Sequence, residues 1–301
     1  MFTNLLQQIQ AGNQKALARC ISLVENECNG YFEFLQQLPN SSTPVIGITG
    51  PPGAGKSTLV DAIIEQLIND NKKVGIICVD PSSPFNLGAV LGDRIRMSNW
   101  YNHPNVFIRS LATRGSLGGL HPKIIEITDV MKAATFDYII VETVGVGQSE
   151  IEIAGLADFT MVVLVPEAGD EVQTMKAGLM EIANMFVVNK ADRPDADSFV
   201  KNLRMMLAPA FHHQQQEIKI IKTVALRKEG IADIVNVIYA LAKDQRPKTK
   251  DKQEWLLAEK AYHIIQQNKM KSINKNELKT QIEQGLQHND FNLYSFVKKY
   301  F

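Results

Sequence analysis

The stretch GITGPPGAGKST, residues 47–58, decides the fold. Its spacing is G-x-x-x-x-G-K-S from Gly50 to Ser57, and it lies between an apolar run, VIGIT, and a segment with helical spacing, TLVDAIIEQLI. A glycine-rich turn between a strand and a helix lets successive backbone N–H groups point inward, and the helix N-terminus adds its positive end. The sequence therefore predicts a phosphate-binding loop here.

The residues of this loop have distinct predicted roles. Lys56 is expected to reach the β- and γ-phosphates of a nucleotide, and the Ser57 hydroxyl is expected to bind Mg²⁺, a hard cation that prefers oxygen ligands. The alternative, a chance glycine-rich turn, is disfavoured because a strand precedes the loop, a helix follows it and every motif position is filled. The predicted phosphate-binding residues are Gly50, Pro51, Pro52, Gly53, Ala54, Gly55, Lys56, Ser57 and Thr58.

Short apolar runs, rich in β-branched residues, continue outward from the loop. Stretches long enough for crossover helices separate them, and they lack polar alternation, which indicates strands buried on both faces. These features predict an α/β fold with a doubly wound, mostly parallel sheet. The runs are VIGIT, KKVGIICVD, NVFIRS, DYIIVET, TMVVLVP and MFVVNK, with a further strand expected in IKIIKTVAL.

The spacing of apolar residues and the position of polar linkers divide the chain into three zones. Residues 1–40 have helical spacing and end in a polar linker, residues 41–245 carry the strand-like runs, and residues 246–301 return to helical spacing after a charged linker. We therefore expect a phosphate-binding domain with helical extensions at both ends.

Composition excludes several classes of partner. The 32 basic and 32 acidic side chains balance, so no net charge attracts nucleic acid or an anionic membrane. The three cysteines lack CxxC spacing, which argues against a disulfide framework or a zinc site. The N-terminus does not resemble a signal or transit peptide, and every apolar run is shorter than the roughly 20 residues that a bilayer requires. A cytoplasmic protein is expected.

A second motif, FVVNKAD, selects the base of the nucleotide. Asn189, Lys190 and Asp192 match the Asn-Lys-x-Asp pattern that reads guanine in GTPases. The Asp192 carboxylate is expected to accept from the guanine N1–H and amino group, which adenine does not present, with a preference on the order of 10⁴-fold. Ala225, in TVAL, is a candidate for a second base contact. A chance NKxD string is the alternative, and its position at a strand end argues against chance.

The run DYIIVETVGVGQSE lies between the two motifs and supplies predicted catalytic groups. Glu142 ends a strand, where nucleotide hydrolases place an acid that holds Mg²⁺ or its water, and Gly145 offers a backbone N–H to the γ-phosphate. A partly exposed strand-end carboxylate is the alternative for Glu142. Many GTPases follow the glycine with a water-orienting glutamine, whereas this chain has Val146. Slow unaided hydrolysis is therefore expected.

A second acidic residue ends the next strand-like run. Asp80 follows VGIICV, and the segment PSSPFNLGAVLGDRIRM after it has the composition of a mobile switch that contains Asp93. Asp80 and Asp93 join Ser57 and Glu142 as predicted metal ligands. Arg94 and Arg96 could also reach phosphate or metal, and a solvated rim is an equally good interpretation of these two arginines. Arg109 and Arg114 lie beside further glycines, and the sequence assigns none of the four arginines to the transition state.

Together these motifs resemble the MeaB/ArgK family of P-loop GTPases, the chaperones of adenosylcobalamin-dependent methylmalonyl-CoA mutase and related acyl-CoA mutases. The resemblance spans about residues 40–240. It is carried by GPPGAGKSTL, VDPSSPF, GAVLGDRIRM, ATRGSLGGL, VETVGVGQSE, PEAGDEVQTMKAG and NKAD.

The resemblance assigns further roles. It implies that Asp80 and Asp93 belong to a first switch, Glu142 to a second, and Lys176, with its neighbours in GDEVQTMKAG, to a third. Lys56, Asp93, Glu142 and Lys176 are then the expected catalytic residues. It also implies a homodimer formed through the C-terminal arm, with residues 246–301 as the dimerisation segment.

The function that the resemblance implies is a switch rather than small-molecule turnover. With Mg²⁺ and GTP bound, the protein would gate adenosylcobalamin loading of an acyl-CoA mutase and protect or reactivate that enzyme, and hydrolysis to GDP would reset it. Three alternatives stay open. They are a metallochaperone GTPase, for which Cys/His ligand clusters are expected, a kinase acting on a periplasmic transport protein, and a purely structural homodimer.

Overall fold

A computed structural model describes residues 2–81, 97–113, 120–145, 149–167, 183–211, 218–243, 250–270, 272–287 and 291–300. The chain forms two compact units, Met1–Pro247 and Lys248–Phe301. The predicted N-terminal zone lies within the first unit. The division into three zones at residues 40 and 245 stays a prediction.

The helices and strands of the first unit alternate after the N-terminal segment. The strands are β1 (Val45–Thr49), β2 (Val74–Asp80), β3 (Val106–Ala112), β4 (Tyr138–Glu142), β5 (Phe159–Leu164), β6 (Met185–Val188) and β7 (Lys219–Lys222). The helices are α1 (Leu5–Gln10), α2 (Gln14–Glu25), α3 (Tyr31–Leu35), α4 (Lys56–Asn69), α5 (Ile124–Lys132), α6 (Ser149–Leu156), α7 (Ala196–Phe211) and α8 (Ile231–Lys243), with 3₁₀ turns at Ser98–Trp100 and Ala225–Arg227.

Within the described residues the strands form one seven-stranded sheet in the order β3-β2-β4-β1-β5-β6-β7. Each neighbouring pair is parallel. The α/β fold and the parallel sheet are thus confirmed. β1 lies between β4 and β5, where the chain's winding reverses, and ligands of such sheets bind outside the carboxyl ends of the strands at this point.

Helices cover both faces of the sheet. Met161 and Val163 of β5 belong to a core cluster that includes residues of α4 and α8. Val162 and Leu164, which alternate with them, join a second cluster with residues of α7. Successive side chains of a strand point to opposite faces, so the two clusters lie on opposite sides of the sheet. The fold is therefore doubly wound, as predicted.

The further strand expected in IKIIKTVAL is present as β7, and it is more exposed than the other strands. Lys219 and Lys222, at its two ends, are exposed, and the residues between them are half-buried. β7 lies at the edge of the sheet, where one side of the strand has no neighbouring strand. Charged residues on such an edge also discourage pairing with another chain.

The N-terminal helices cover the opposite edge, at β3. The amide of Gln14, in α2, donates to the carbonyls of Pro104 and Val106 at 3.0 and 3.2 Å. The apolar face of α2 is buried, and its N-terminus is capped by the Asn13 side chain, which accepts from the Ala16 N–H at 3.0 Å. The N-terminal segment thus shields a strand edge in addition to extending the core.

The second unit is helical. It contains α9 (Lys250–Met270), α10 (Lys275–Leu286), α11 (Leu293–Val297) and a 3₁₀ turn, Lys298–Tyr300. Asn274 and Asn292 cap α10 and α11 by accepting from backbone N–H groups at 2.9 and 3.0 Å. The Phe291 ring packs so closely on Gly285 that a Cβ there would lie 2.6 Å from the ring. Among the described residues, no helix combines the length and apolar character needed to cross a bilayer.

Candidate nucleotide site

The loop between β1 and α4 has the backbone geometry that a phosphate cradle requires. Gly50, Gly53 and Gly55 have φ of 142°, 77° and 86°. A Cβ at Gly50 would lie 2.0 Å from the Val163 carbonyl oxygen, and one at Gly55 would lie 2.5 Å from the amide nitrogen of Asn189. Only glycine fits either position, because the backbone conformation and the space both exclude a side chain.

Lys56 begins α4, and its ammonium curls back over the loop. Its side chain is only 6% exposed, and Nζ donates to the carbonyls of Gly50 at 2.8 Å and Pro51 at 3.1 Å. These carbonyls hold the ammonium above the loop whose N–H groups are predicted to bind phosphate. An incoming phosphate oxygen would compete with them for the ammonium protons.

Three of the four predicted metal ligands, Ser57, Asp80 and Glu142, are described, and Asp80 and Glu142 end the neighbouring strands β2 and β4. The Ser57 hydroxyl donates to Glu142 Oε1 at 2.8 Å, and both side chains are buried. Cys78 of β2 pairs with Glu142 of β4, which puts Asp80, 3% exposed, two residues further along the neighbouring strand. This buried set of hydroxyl and carboxylate oxygens fits Mg²⁺, which takes oxygen ligands.

Gly145 lies directly against the phosphate loop. Its φ is 83°, and a Cβ there would lie 2.3 Å from the Gly50 oxygen and 2.4 Å from Lys56 Nζ. The absence of a side chain is therefore what allows the segment after β4 to approach the loop. The predicted contact between its N–H and a γ-phosphate is compatible with this position.

The base-reading motif is joined to the phosphate loop by two side chains. Asn189, 2% exposed, donates from Nδ2 to the Ala54 carbonyl at 2.9 Å. Lys190 has φ of 55° and donates from Nζ to the Gly53 carbonyl at 2.7 Å. The left-handed conformation of Lys190 turns the chain at the end of β6, so that both side chains reach back to the loop.

The other end of Asn189 holds the segment after β7. Its Oδ1 accepts from the Thr223 hydroxyl and from the Ala225 N–H, both at 3.1 Å. Ala225 thus lies beside the motif, as its predicted role as a base contact requires. Asp192 lies two residues beyond Lys190 with its side chain 42% exposed, and Arg227 is its ionic partner at 3.7 Å.

The structure thus brings together the predicted residues of the loop, β2, β4, β6 and the Thr223–Ala225 segment. The Arg109 guanidinium, to which the sequence assigned no definite role, donates to Glu25 of α2 at 2.6 Å. Other residues of the sequence predictions lie outside the described part of the chain: Asp93, Arg94, Arg96, Arg114, Val146 and Lys176.

Sequence reasoning missed the buried hydroxyls that fix the strand ends. Thr143 Oγ1 donates to Thr49 Oγ1 at 3.0 Å and ties β4 to β1 directly beside the loop. Thr223 supports Asn189 as described above. Thr49 and Thr143 are the last residues of the predicted runs VIGIT and DYIIVET, and a hydroxyl at a strand end beside a motif was the available signal.

Comparison with known proteins identifies the family of this site. The model of the family described as methylmalonyl Co-A mutase-associated GTPase MeaB matches residues 17–279. The chain belongs to the MeaB family. This family assignment and the MeaB/ArgK resemblance drawn from the motifs agree.

Individual relatives support the assignment. A GTPase of Pyrococcus abyssi is 45% identical over 239 residues, which are 78% of this chain and 74% of that protein. A fused isobutyryl-CoA mutase of Geobacillus kaustophilus is 36% identical over 239 residues, which are 74% of this chain and 22% of that protein. A solved structure, that of a LAO/AO transport system kinase, has a TM-score of 0.67 and 25% identity and covers 99% of this chain and 96% of its own.

This MeaB-family protein is therefore a P-loop GTPase that hydrolyses GTP to GDP and phosphate. The relatives carry the activity, and the geometry accounts for it: a glycine loop with a buried lysine, a serine next to strand-end acids, and an Asn-Lys-x-Asp motif joined to the loop.

Proposed function

We propose that this MeaB-family GTPase is a switch that gates adenosylcobalamin loading of an acyl-CoA mutase and protects or reactivates that enzyme. The observation that carries the proposal is the Geobacillus kaustophilus relative, in which a segment 36% identical to this chain is part of a fused isobutyryl-CoA mutase. Fusion to an enzyme is a permanent form of an association that separate chains would make transiently. The family description, mutase-associated GTPase, points the same way.

The loop and its lysine would bind the triphosphate. The N–H groups of residues 53–58 and the N-terminus of α4 favour negative charge, and Lys56 would exchange its carbonyl partners for β- and γ-phosphate oxygens. Ser57, Asp80 and Glu142 would hold Mg²⁺, with Asp93 as a further ligand. The cation would neutralise charge that builds up on the phosphates during transfer.

Water attacks the γ-phosphorus as the bond to the β–γ bridging oxygen breaks, which yields GDP and phosphate. Gly145 would donate its N–H to the γ-phosphate, and Lys56, with Lys176 from the third switch, would stabilise the charge on the leaving oxygens. Because Val146 occupies the place where many GTPases have a water-orienting glutamine, we expect slow hydrolysis without a partner. A partner that orders the site would then accelerate the reaction.

Asn189, Lys190, Asp192 and Ala225 would hold the guanine. Asn189 links the base-side segments to the phosphate loop, and Asp192 would accept from the guanine N1–H and amino group. The second unit would form the homodimer, since Tyr262 and Ile265, three residues apart on α9, are exposed. We place the protein in the cytoplasm, where GTP and the mutases are found.

The test is GTP hydrolysis by the purified chain with and without an adenosylcobalamin-dependent acyl-CoA mutase, tried separately with methylmalonyl-CoA mutase and isobutyryl-CoA mutase. We expect one of them to stimulate hydrolysis at least about tenfold. A catalytically dead Lys56→Ala chain added to the same mutase is the control for contaminating hydrolysis. If neither mutase stimulates hydrolysis or binds the GTP-loaded chain, the chaperone proposal is wrong, although the GTPase assignment stands.

The same preparation distinguishes the alternatives. A kinase would transfer the γ-phosphate of labelled nucleotide to an acceptor protein, whereas the switch releases all the label as free phosphate. For a metallochaperone, a metal-binding cluster is required, and among the described residues no group of three or more His, Cys, Asp or Glu side chains is placed to hold a metal. Micromolar GTP binding contradicts a purely structural homodimer.

A further inference from the structure

The segment after β7 forms a tight turn that is held from several sides. Val224 and Glu229 pair as an antiparallel bridge, with N–H···O distances of 3.2 and 3.3 Å. Gly230, with φ of 77°, lies so close to the Lys222 carbonyl that a Cβ would be 2.2 Å from its oxygen. Lys228 forms an ion pair with Glu65 of α4. The backbone between Ala225 and Gly230 is therefore fixed relative to the nucleotide site.

This turn places one guanidinium beside the carboxylate that is predicted to read guanine. Arg227 Nη2 lies 3.7 Å from Asp192 Oδ2, while its Nε lies 2.9 Å from Glu229 Oε1. The first distance is too long for a direct hydrogen bond, so the attraction is ionic. Among the described residues, no donor makes a hydrogen bond to either Asp192 oxygen, and both stay available as acceptors.

We propose that Arg227 is a positioning residue that orients the Asp192 carboxylate for the guanine base, and that Glu229 holds Arg227 in place for this role. The inference rests on the proposed reading of guanine by Asp192. A carboxylate that must accept two parallel hydrogen bonds from guanine needs a fixed plane, and an exposed aspartate by itself rotates freely. A cation at one side of the carboxylate restricts that rotation without using the lone pairs that the base requires.

The neighbouring arginine provides a matched control. Arg193 follows Asp192 directly and is about as exposed as Arg227, 46% against 55%, but its partner is Glu167. Removing either arginine deletes one positive charge next to the base site. Only the removal of Arg227 deletes the contact with Asp192.

The experiment measures dissociation constants of GTP, ITP and ATP for the full chain and for Arg227→Ala, Arg227→Lys and Arg193→Ala. For Arg227→Ala we expect GTP to bind about two- to fivefold more weakly, the effect of a half-exposed ion pair. ITP lacks the 2-amino group and makes one hydrogen bond to the carboxylate instead of two, so the affinity for ITP should fall less than the affinity for GTP. The affinity for ATP should not change. Arg227→Lys should restore part of the loss, and Arg193→Ala should bind GTP within about twofold of the parent chain.

Two further variants separate orientation from a structural role. In an Asp192→Asn background, which should bind XTP, adding Arg227→Ala should change XTP affinity less than about twofold, because the ionic contact is already absent. Glu229→Gln removes the charge that holds Arg227 in place, and GTP should bind about twofold more weakly than to the parent chain. The inference would be overturned if Arg227→Ala lowered the affinities for GTP and ATP equally. It would also be overturned if Arg227→Ala lowered the XTP affinity of the Asp192→Asn variant as much as it lowers the GTP affinity of the parent chain. If the parent chain itself binds ATP as well as GTP, the proposed reading of guanine fails instead.

Discussion

Among the described residues of the first unit, two lysines are almost completely buried, and they differ in the groups that they contact. Lys56 is 6% exposed and donates to two carbonyls of its own loop. Lys123 is 5% exposed and forms ion pairs with Glu27 at 2.8 Å and Glu126 at 3.0 Å. Its ammonium also lies 5.5 Å from the centre of the Tyr31 ring.

The difference shows that burial of a cation does not by itself mark a functional site. Glu27 and Tyr31 belong to the N-terminal segment, so Lys123 joins that segment to α5 with its charge neutralised by carboxylates. Lys56 donates to the Gly50 and Pro51 carbonyls of the predicted phosphate-binding loop, and we propose that phosphate oxygens of a nucleotide replace them. Lys123 therefore stabilises the fold, whereas Lys56 is the lysine for which we propose a role in the reaction.

The largest expected effect comes from removing the ligand-facing lysine. Lys56→Ala should lower the rate of GTP hydrolysis about 100- to 1,000-fold, because it removes one preorganised donor to the developing charge. The free energy of unfolding without nucleotide should fall less than in Lys123→Ala, because the Gly50 and Pro51 carbonyls that lose the ammonium are uncharged, whereas Lys123 leaves a buried carboxylate. Steady-state hydrolysis and chemical denaturation measure the two quantities. A large loss of stability with normal hydrolysis would reverse the roles assigned to the two lysines.

Lys123→Ala should show the opposite pattern. It leaves Glu126, 5% exposed, without its cationic partner, and breaking a buried ion pair costs about 3–5 kcal/mol of unfolding free energy. Hydrolysis per folded molecule should stay within about twofold of the parent chain, as measured after correction for the folded fraction. Lys132→Ala, in the last turn of the same helix, is the control and should change stability by less than about 0.5 kcal/mol.

Gly145→Ala should have a smaller effect on the catalytic side. A Cβ would enter the space occupied by the Gly50 carbonyl and the Lys56 ammonium, and the left-handed backbone adds about 1–2 kcal/mol of strain. We expect GTP affinity to fall by about tenfold, and GDP affinity by less, because the predicted contact is to the γ-phosphate. Titration of both nucleotides checks this. An equal loss for GTP and GDP would place Gly145 away from the γ-phosphate.

The smallest effect is a dependence of stability on alkaline pH. Burial lowers the pKa of Lys123, but the hydrogen bonds and charges of Glu27 and Glu126 outweigh it, and the net pKa is raised above the ordinary value of 10.5. A group with a raised folded pKa contributes stability that is complete below its unfolded pKa and is lost as the pH rises through the folded value. Between about pH 9 and about pH 11, the free energy of unfolding should therefore fall more in the parent chain than in Lys123→Ala, as measured by denaturation at both pH values. Equal losses would contradict the raised pKa.

The elements that sequence predicted best are those with local signals. The strands and the phosphate loop were predictable because apolar runs and the spacing from Gly50 to Ser57 lie within a few residues of each other. The positions of Asn189 and Glu142 at strand ends were predictable for the same reason, because Glu142 ends such a run and Asn189 follows one. β7 was predicted as a strand from its composition, but its exposure depends on its place at the sheet edge, which composition does not record.

The features that sequence did not predict depend on contacts between distant segments. Lys123 and Glu27 are 96 positions apart in the chain, and neither carries a motif. Arg109 precedes a glycine-rich stretch, yet α2 supplies its partner. Arg227 follows Ala225 by two residues, and only the fixed turn brings it to Asp192. Pairings of this kind follow from the packing of complete elements.

The central claim is that one site binds phosphates at residues 50–58 and reads guanine at Asp192. The most direct measurement is calorimetric titration of the parent chain and of Asp192→Asn with GTP, ATP and XTP in Mg²⁺. The account predicts that the parent chain binds GTP at least about 1,000-fold more tightly than ATP, and that Asp192→Asn exchanges this preference for XTP. Equal binding of GTP and ATP by the parent chain, or an unchanged GTP affinity in Asp192→Asn, would contradict it.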